Sequence, residues 1–110
     1  NGKYDNLSID DKLNISVNSK HALIAATRLS KGTIEQIYMA LRLAAADIIF
    51  EKDKKPILLD DAFAMYDNKR MGNTMRFMAE NMEQVIIFSC HTREKLMADK
   101  LGLKYNFIRL

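Results

Sequence analysis

The chain has 110 residues, enough for one domain with a modest core and too few for two. Hydrophobic residues make up 48% and charged residues 28%, as in an ordinary folded protein. No apolar run approaches the roughly 20 residues of a membrane span, so no membrane partner is expected. The net charge of +3 does not by itself indicate nucleic acid. The single cysteine, Cys90, excludes an internal disulfide and favours a reducing, cytoplasmic compartment, and we expect it to be buried as packing.

The first residues predict a β-hairpin. Leu13, Ile15 and Val17 alternate with polar residues, which is the period of a half-buried strand. A weaker strand, YDNLSI, precedes them, and Asp10-Asp11 is typical of the turn between the two strands. We therefore expect a hairpin within residues 1–20.

From residue 33 the apolar period lengthens to that of a helix. One helix face, ending near Phe50, is predicted from Ile34, Ile37, Tyr38, Leu41, Ala45 and Ile48. Thr33 with Gln36 fits an S/T-x-x-E/Q capping box, an ordinary helix start. The same turn can bind an anion, because Ser30 supplies a hydroxyl, Gly32 permits close backbone approach, and a helix N-terminus favours negative charge. This segment alone does not decide between the two interpretations.

The remainder alternates strands and helices, which favours a parallel sheet with right-handed crossovers. After a loop, EKDKK, Pro56 opens the strand ILL, and QVIIF forms the next; both are typical of buried parallel strands. Asp67 or Asn68 caps a second helix, and Thr92 caps a third that stops at Gly102. The second helix has an apolar stripe of Met71, Met75, Met78 and Met82. A last strand, KYNFIRL, completes the order β-β-α-β-α-β-α-β.

Polar residues follow both parallel strands, at the edge where such sheets bind ligands. Asp60 and Asp61 end the first strand, and adjacent carboxylates repel each other unless a cation or ligand joins them. One can hold Mg²⁺, directly or through water, and the other can orient or deprotonate an attacking water. His91 follows IIFSC and can hydrogen-bond a phosphate or a water. The structural alternative is that the acids only cap a loop and that His91 only starts a helix.

Taken together, these motifs resemble the C-terminal lobe of an ABC-type ATPase head, most closely in the SMC, RecF and YhaN-like branch. LSKGT (29–33) resembles the ABC signature, ILLDD the Walker B motif and AMYD (64–67) the D-loop, and SCH carries a switch histidine. The resemblance implies an α/β fold, the C-terminal part of a P-loop NTPase, with a parallel sheet, flanking helices and an N-terminal β-hairpin. It implies a single domain over 1–110, with the hairpin at 1–20, the signature helix at 28–50 and the Walker B, D-loop and switch-histidine region at 56–110.

The resemblance also implies roles for individual residues. The signature residues would bind the γ-phosphate of ATP held on an opposing head: Ser30, Lys31, Gly32 and Thr33. Asp60 would hold the Mg²⁺ shell. Asp61 stands where most ABC proteins have the catalytic glutamate. RecF-like members also carry Asp-Asp at these positions. Asp67 would couple the two sites of a dimer, and His91 would sense the γ-phosphate.

The phosphate cradle is missing from these 110 residues, because no G-x-x-x-x-G-K-[ST] occurs in them. The resemblance therefore implies a fragment or one lobe of a split head, with ATP and Mg²⁺ as cofactors and negligible ATP hydrolysis by itself. Its expected partners are the N-terminal Walker A lobe of the same protein and a second head, as a homodimer in the ATP-bound state. A DNA-repair or chromosome-maintenance role, and any contact with DNA, would come through the parent protein.

Two other classes of function fit parts of the pattern. A non-catalytic interaction module would keep the ATPase-like sequence as packing. A phosphoacceptor receiver domain also has an acid pair at a strand end, but its pair lies near the start of the chain and a later strand ends in Asp. Here the pair follows a long helix and no later predicted strand ends in Asp.

Overall fold

The structure is a computed structural model that describes residues 6–19, 22–50 and 56–109. The predicted loop EKDKK, the first two residues of the predicted strand YDNLSI and the last residue of KYNFIRL lie outside the described residues. The chain divides into two compact units, residues 1–40 and 41–110, each described by itself below. The single domain predicted over the whole chain stays a prediction.

The first unit contains a three-stranded antiparallel sheet in the order β1-β2-β3. The strands are β1 (Asn6–Ile9), β2 (Ile15–Ser19) and β3 (Ala22–Ala25). Val17 lies opposite Leu7 on one side and Ile24 on the other, and it is the buried residue of β2, 2% exposed. The predicted hairpin between β1 and β2 is confirmed, whereas β3 was not predicted.

The turn between β1 and β2 is held by one carboxylate. The Asp10 Oδ1 atom accepts hydrogen bonds from the backbone N–H groups of Lys12 (2.9 Å) and Asn14 (2.7 Å). Its Oδ2 atom accepts from the Asn14 side-chain amide at 2.8 Å. The bond from the Asn14 side chain, followed by that from its backbone, lowers the pKa of Asp10. Leu13 completes the turn in a left-handed conformation, with φ 61°.

A 3₁₀ turn, Ala26–Arg28, leads to helix α1, Lys31–Phe50. The predicted cap at Thr33 is wrong, because the helix begins two residues earlier. The Ser30 carbonyl accepts hydrogen bonds from the backbone N–H groups of Thr33 (2.9 Å) and Ile34 (3.0 Å). Ser30 therefore directly precedes the helix and accepts the hydrogen bonds of its first turn.

The predicted apolar face of α1 is partly covered, because Ile34, Ile37 and Leu41 are half-buried. Met39, which was not in the predicted stripe, is buried at 7% exposure. Tyr38 and Ile48, which were in it, are 44% and 79% exposed. The helical period is therefore confirmed, and the predicted face packs within the described chain only in part.

The second unit is built on two parallel strands. Its elements after α1 are β4 (Ile57–Asp60), α2 (Asn68–Asn81), β5 (Val85–Phe88) and α3 (Arg93–Leu101). Ile57 lies opposite Val85 and Asp60 lies opposite Phe88, so both strands end at the same edge. The predicted parallel pairing of these strands is confirmed.

The prediction that both strands are buried is wrong for the described chain. Leu59 is buried at 7% exposure, but Leu58 is 61% exposed, Ile86 37% and Phe88 44%. Parallel strands become apolar on both faces because other layers cover both faces. In the described residues, the face that carries Leu58, Ile86 and Phe88 is uncovered.

The core of the second unit lies between the helices and the segment after β4. It comprises Leu59, Phe63, Tyr66, Met71, Met75, Met78 and Ala98. The predicted methionine stripe of α2 is thus confirmed for its first three members, whereas Met82 is only half-buried. Helices α2 and α3 approach closely at Gly72, where an added Cβ would lie 3.2 Å from the Met97 Sδ atom.

The helix ends follow the sequence closely. Asp67 is the N-cap of α2, and its Oδ1 atom accepts the Arg70 backbone N–H at 2.8 Å. Thr92 occupies the N-cap position of α3 but makes no capping bond through its side chain. Gly102 ends α3 in a left-handed conformation, with φ 65°, and the Leu103 N–H returns to the Ala98 carbonyl at 3.0 Å.

The predicted C-terminal strand is wrong, because residues 104–109 form no strand in the structure. The segment instead contacts α3. The Tyr105 hydroxyl donates to the Asp99 Oδ1 atom at 2.6 Å, and Lys95 lies over the Phe107 ring, 5.9 Å from its centroid. Among the described helices, none is long and apolar enough to cross a membrane.

Candidate functional site

The candidate site lies at the edge where β4 and β5 end together. Asp60 is the last residue of β4, and Asp61 begins the turn that follows. The Asp61 backbone N–H donates to the Phe88 carbonyl at 3.0 Å, which ties the turn to the end of β5. Asp61 has a left-handed backbone, with φ 43°, so the chain changes direction sharply between the two acids.

Three side chains from two segments meet at this edge. The Cys90 Sγ atom lies 3.8 Å from Asp61 Oδ1 and 3.7 Å from Asp61 Oδ2, and the Cys90 backbone N–H donates to Asp61 Oδ1 at 3.4 Å. The same sulfur lies 4.0 Å from His91 Nδ1 and 3.9 Å from His91 Nε2. All three side chains are exposed, and one ligand atom from each lies within 4.8 Å of the others.

A hydrogen-bonded loop holds Cys90 and His91 at the end of β5. The Ser89 hydroxyl donates to the Glu94 Oε2 atom at 3.1 Å, and Ser89 Oγ accepts the His91 backbone N–H at 3.0 Å. Glu94 lies in the first turn of α3 and is only 8% exposed, so the Ser89 hydroxyl is hydrogen-bonded to a buried side chain of a helix. The loop that carries Cys90 and His91 is therefore tied to the first turn of α3.

The segment from Asp61 to Asp67 is anchored by two buried rings. Phe63 is 1% exposed and Tyr66 3%, and their rings form an edge-to-face pair with centroids 5.5 Å apart. The Arg93 Nη2 atom donates to the Tyr66 carbonyl at 2.6 Å. The first residue of α3 thereby fixes the segment that ends at Asp67.

The predicted signature residues lie in the first unit, at the start of α1. Their hydroxyls pair with each other, since Ser30 Oγ lies 2.9 Å from Thr33 Oγ1. Ser30 and Lys31 are exposed, whereas Gly32 and Thr33 are buried in the first turn. Of the four, Ser30 and Lys31 are thus the side chains open to a phosphate.

Within the second unit, two of the predicted site residues lie close together. Asp61 and His91 are neighbours, Asp60 directly precedes Asp61 in the chain, and Asp67 caps α2. The prediction that Cys90 is buried packing is wrong, because it is exposed and lies between Asp61 and His91. The sequence did contain the signal: Cys90 comes after the last residue of β5, where a strand's apolar pattern no longer applies.

Comparisons with known proteins identify the fold. No protein-family model matches the chain. Over 73 residues it is 36% identical to the uncharacterized protein YhaN of Bacillus subtilis (strain 168), a match that covers 64% of this chain and 8% of YhaN. It is also similar to a solved structure from work on ATP-driven dimerization and DNA-stimulated activation of SMC ATPases. That similarity has a TM-score of 0.65 at 17% identity and covers 84% of this chain and 60% of the other.

The chain is similar in fold to that SMC ATPase structure. The predicted α/β architecture is thereby confirmed at the level of fold, although the parallel sheet has two strands in the described residues. The chain spans a small part of YhaN and three-fifths of the SMC ATPase chain. At 17% identity the second similarity carries the fold and no residue roles.

Proposed function

We propose that this chain is the C-terminal lobe of an ATP-binding and ATP-hydrolysing head of the SMC/RecF/YhaN-like branch, which dimerises around ATP. The observation that carries the proposal is the meeting of Asp61 and His91 where β4 and β5 end. In open sheets with parallel strands this is the edge at which ligands bind. The SMC-like fold makes nucleotide the first candidate for that ligand.

The acids in this proposal have separate tasks. Asp60 is exposed at the end of β4 and offers only carboxylate oxygens, the donor type that Mg²⁺ prefers. Bound Mg²⁺ would neutralise negative charge on the phosphates. Asp61 orients or deprotonates the attacking water, and His91 hydrogen-bonds the γ-phosphate.

The signature residues act on a different nucleotide from the acids. In the proposal, Ser30, Lys31, Gly32 and Thr33 bind the γ-phosphate of ATP held by a second head, so they and Asp61 serve different active sites of the dimer. The exposure of Ser30 and Lys31 at the start of α1 supports this role. Asp67, fixed at the start of α2, is the residue through which one site would respond to the other.

The N-terminal Walker A lobe of the same protein is the proposed source of the phosphate cradle. No such cradle lies in these 110 residues. The uncovered face of the parallel strands, formed by Leu58, Ile86 and Phe88, is apolar and supports a layer of additional structure there. A role in DNA repair or chromosome maintenance belongs to the proposed parent protein and rests on the resemblance alone.

The test compares ATP turnover by these 110 residues with turnover after the Walker A lobe is supplied. We expect negligible turnover by the chain itself and steady turnover by the assembled head. Asp60→Asn and Asp61→Asn should each abolish it, whereas Asp47→Asn, which removes an exposed carboxylate of α1 without a proposed role, should not. Steady hydrolysis by the 110 residues that Asp61→Asn abolishes would refute the lobe assignment. Unchanged turnover in both acid variants of the assembled head would refute the catalytic assignment.

A further inference from the structure

The cluster formed by Asp61, Cys90 and His91 combines three kinds of ligand atom. A carboxylate oxygen, a sulfur and an imidazole nitrogen lie within 4.8 Å of one another. Mg²⁺ selects oxygen ligands, so a cluster with sulfur and nitrogen is poorly suited to it. Zn²⁺ is borderline-soft and binds all three ligand types.

The distances in the cluster are close to those of a tetrahedral zinc site. Zn–S bonds of about 2.3 Å and Zn–N or Zn–O bonds of about 2.0–2.1 Å place neighbouring ligand atoms roughly 3.5 Å apart. The Cys90 sulfur lies 3.7 Å from the nearer Asp61 oxygen and 3.9 Å from the nearer His91 nitrogen. These two distances exceed that spacing by a few tenths of an ångström, and all three ligand atoms lie within 4.8 Å of one another, so metal binding requires rotation of these exposed side chains.

The geometry fits a metal site better than a catalytic cysteine. In a thiol–imidazole–carboxylate triad the carboxylate orients the imidazole, and the imidazole activates the thiol. Here the Asp61 carboxylate instead approaches Cys90, through both the sulfur and the backbone N–H. The thiol is near both other groups, and a metal site requires that all three ligand atoms can reach one common point.

The backbone also positions the segments that carry the three ligands. The left-handed conformation of Asp61 directs its carboxylate to Cys90, and the bond from Ser89 to Glu94 holds the loop that carries Cys90 and His91. Ligands that are oriented by surrounding hydrogen bonds lose less freedom when a metal binds. We propose that Asp61, Cys90 and His91 form a zinc site with three protein ligands and one open position, which prevents Asp61 and His91 from acting on ATP while zinc is bound.

The chain offers an unambiguous spectroscopic test, because Cys90 is its only cysteine. Co²⁺ is titrated into the reduced chain, and the sulfur-to-cobalt charge-transfer band in the near ultraviolet is measured. We expect one Co²⁺ per chain with this band. Zn²⁺ should displace it, because zinc binds such sites more tightly than cobalt, and excess Mg²⁺ should not.

Variants then identify the other ligands. His91→Ala and Asp61→Asn should each weaken Co²⁺ binding by more than the roughly 10- to 100-fold that loss of an outer-shell partner costs. Asp47→Asn, which removes an exposed carboxylate without a proposed role, is the control and should change the affinity little, while far-ultraviolet circular dichroism verifies that each variant is folded. Cys90→Ser should remove the band.

Four results would overturn the inference: no charge-transfer band, one Co²⁺ per two chains, displacement by Mg²⁺, or unchanged affinity in both the His91→Ala and Asp61→Asn variants. The readout needs neither ATP nor a second lobe. Failure of the zinc site is therefore distinct from failure of the proposed ATPase function.

Discussion

The left-handed backbone of Asp61, with φ 43°, gives a prediction about stability that can be measured directly. An L-residue in this conformation carries strain of about 1–2 kcal/mol, because its Cβ approaches the following carbonyl oxygen. Glycine lacks this strain but makes the unfolded chain more flexible, at a cost of about 0.4–1 kcal/mol relative to alanine. We predict that Asp61→Gly is more stable than Asp61→Ala by up to about 1.6 kcal/mol, the difference between these ranges.

The stability difference between Asp61→Gly and Asp61→Ala isolates the effect of the backbone conformation at residue 61. Both lack the carboxylate, so the 3.4 Å bond to Cys90 and the negative charge cancel. The matched control is Asp47, which is exposed in α1. There Asp47→Gly should be less stable than Asp47→Ala by about 1 kcal/mol, as in an ordinary helix. The order of glycine and alanine is therefore expected to reverse between residues 47 and 61.

Urea denaturation provides the measurement, with the free energy of unfolding taken from the midpoint and the slope of the transition. Equal slopes among the four variants would show that the denatured states are comparable. If Asp61→Ala is more stable than Asp61→Gly by the margin found at residue 47, the left-handed conformation is absent in solution. The carboxylate would then lose the geometry that directs it to Cys90. In the assembled head, both Asp61 variants should also lose ATP turnover, which would separate stability from activity.

Three further predictions concern the surroundings of the site and the first unit. Phe63→Ala should lower the free energy of unfolding by about 3–5 kcal/mol in urea, because Phe63 is 1% exposed, and Phe63→Leu should cost less. Arg93→Ala should cost about 1.5–3 kcal/mol through loss of the charged bond to the Tyr66 carbonyl, and equal stability of Arg93→Ala and wild type would contradict that bond. The lowered pKa of Asp10 means that its stabilising effect is complete above the ordinary value of about 3.9 and is lost as the pH falls through the folded-state pKa. An NMR titration measures that pKa, and Asn14→Ala, which removes the largest cause, should return it toward the ordinary value.

The edge of the parallel sheet could be predicted from sequence because its signals are local. Pro56 and the aliphatic run after it define one strand, VIIF defines the next, and a helical period lies between them. Parallel strands necessarily end at the same edge, so the residues that follow them were expected to be neighbours. The contact between Asp61 and the residues after Phe88 confirms this reasoning.

The sequence analysis missed strand β3 and wrongly predicted a C-terminal strand, for opposite reasons. The sequence ALIA has little β-propensity and no alternation, and it is a strand because it pairs with β2. The segment KYNFIRL has high β-propensity, but a strand needs a neighbour for its backbone hydrogen bonds. Its Tyr105 hydroxyl is bonded to Asp99 of α3 instead. In both cases the outcome depended on whether the segment pairs with a neighbouring strand, and the local sequence pattern does not contain that information.

The environment of the site residues was the least predictable part. Cys90 was expected to be buried although the predicted strand QVIIF already ended at Phe88, and in the structure it is exposed. The conformation of Asp61 had no sequence signal, because aspartate adopts a left-handed backbone only in particular turns. The anchoring of Ser89 by Glu94 spans five residues and matches no common motif. Sequence thus predicted which segments meet at the sheet edge, but not how the side chains are oriented there.

The two acids of ILLDD are adjacent in the chain but differ in their surroundings. The sequence argument treated them as a repelling pair that a single cation or ligand would join. Asp60 ends β4 opposite Phe88, whereas the left-handed turn at Asp61 brings its carboxylate to the Cys90 backbone N–H. The two carboxylates therefore have different surroundings, and in the structure only that of Asp61 is brought to Cys90. It follows that Asp60 can serve a hard cation while Asp61 serves the ligands near Cys90, so substitutions of the two acids should have different consequences for magnesium and for zinc.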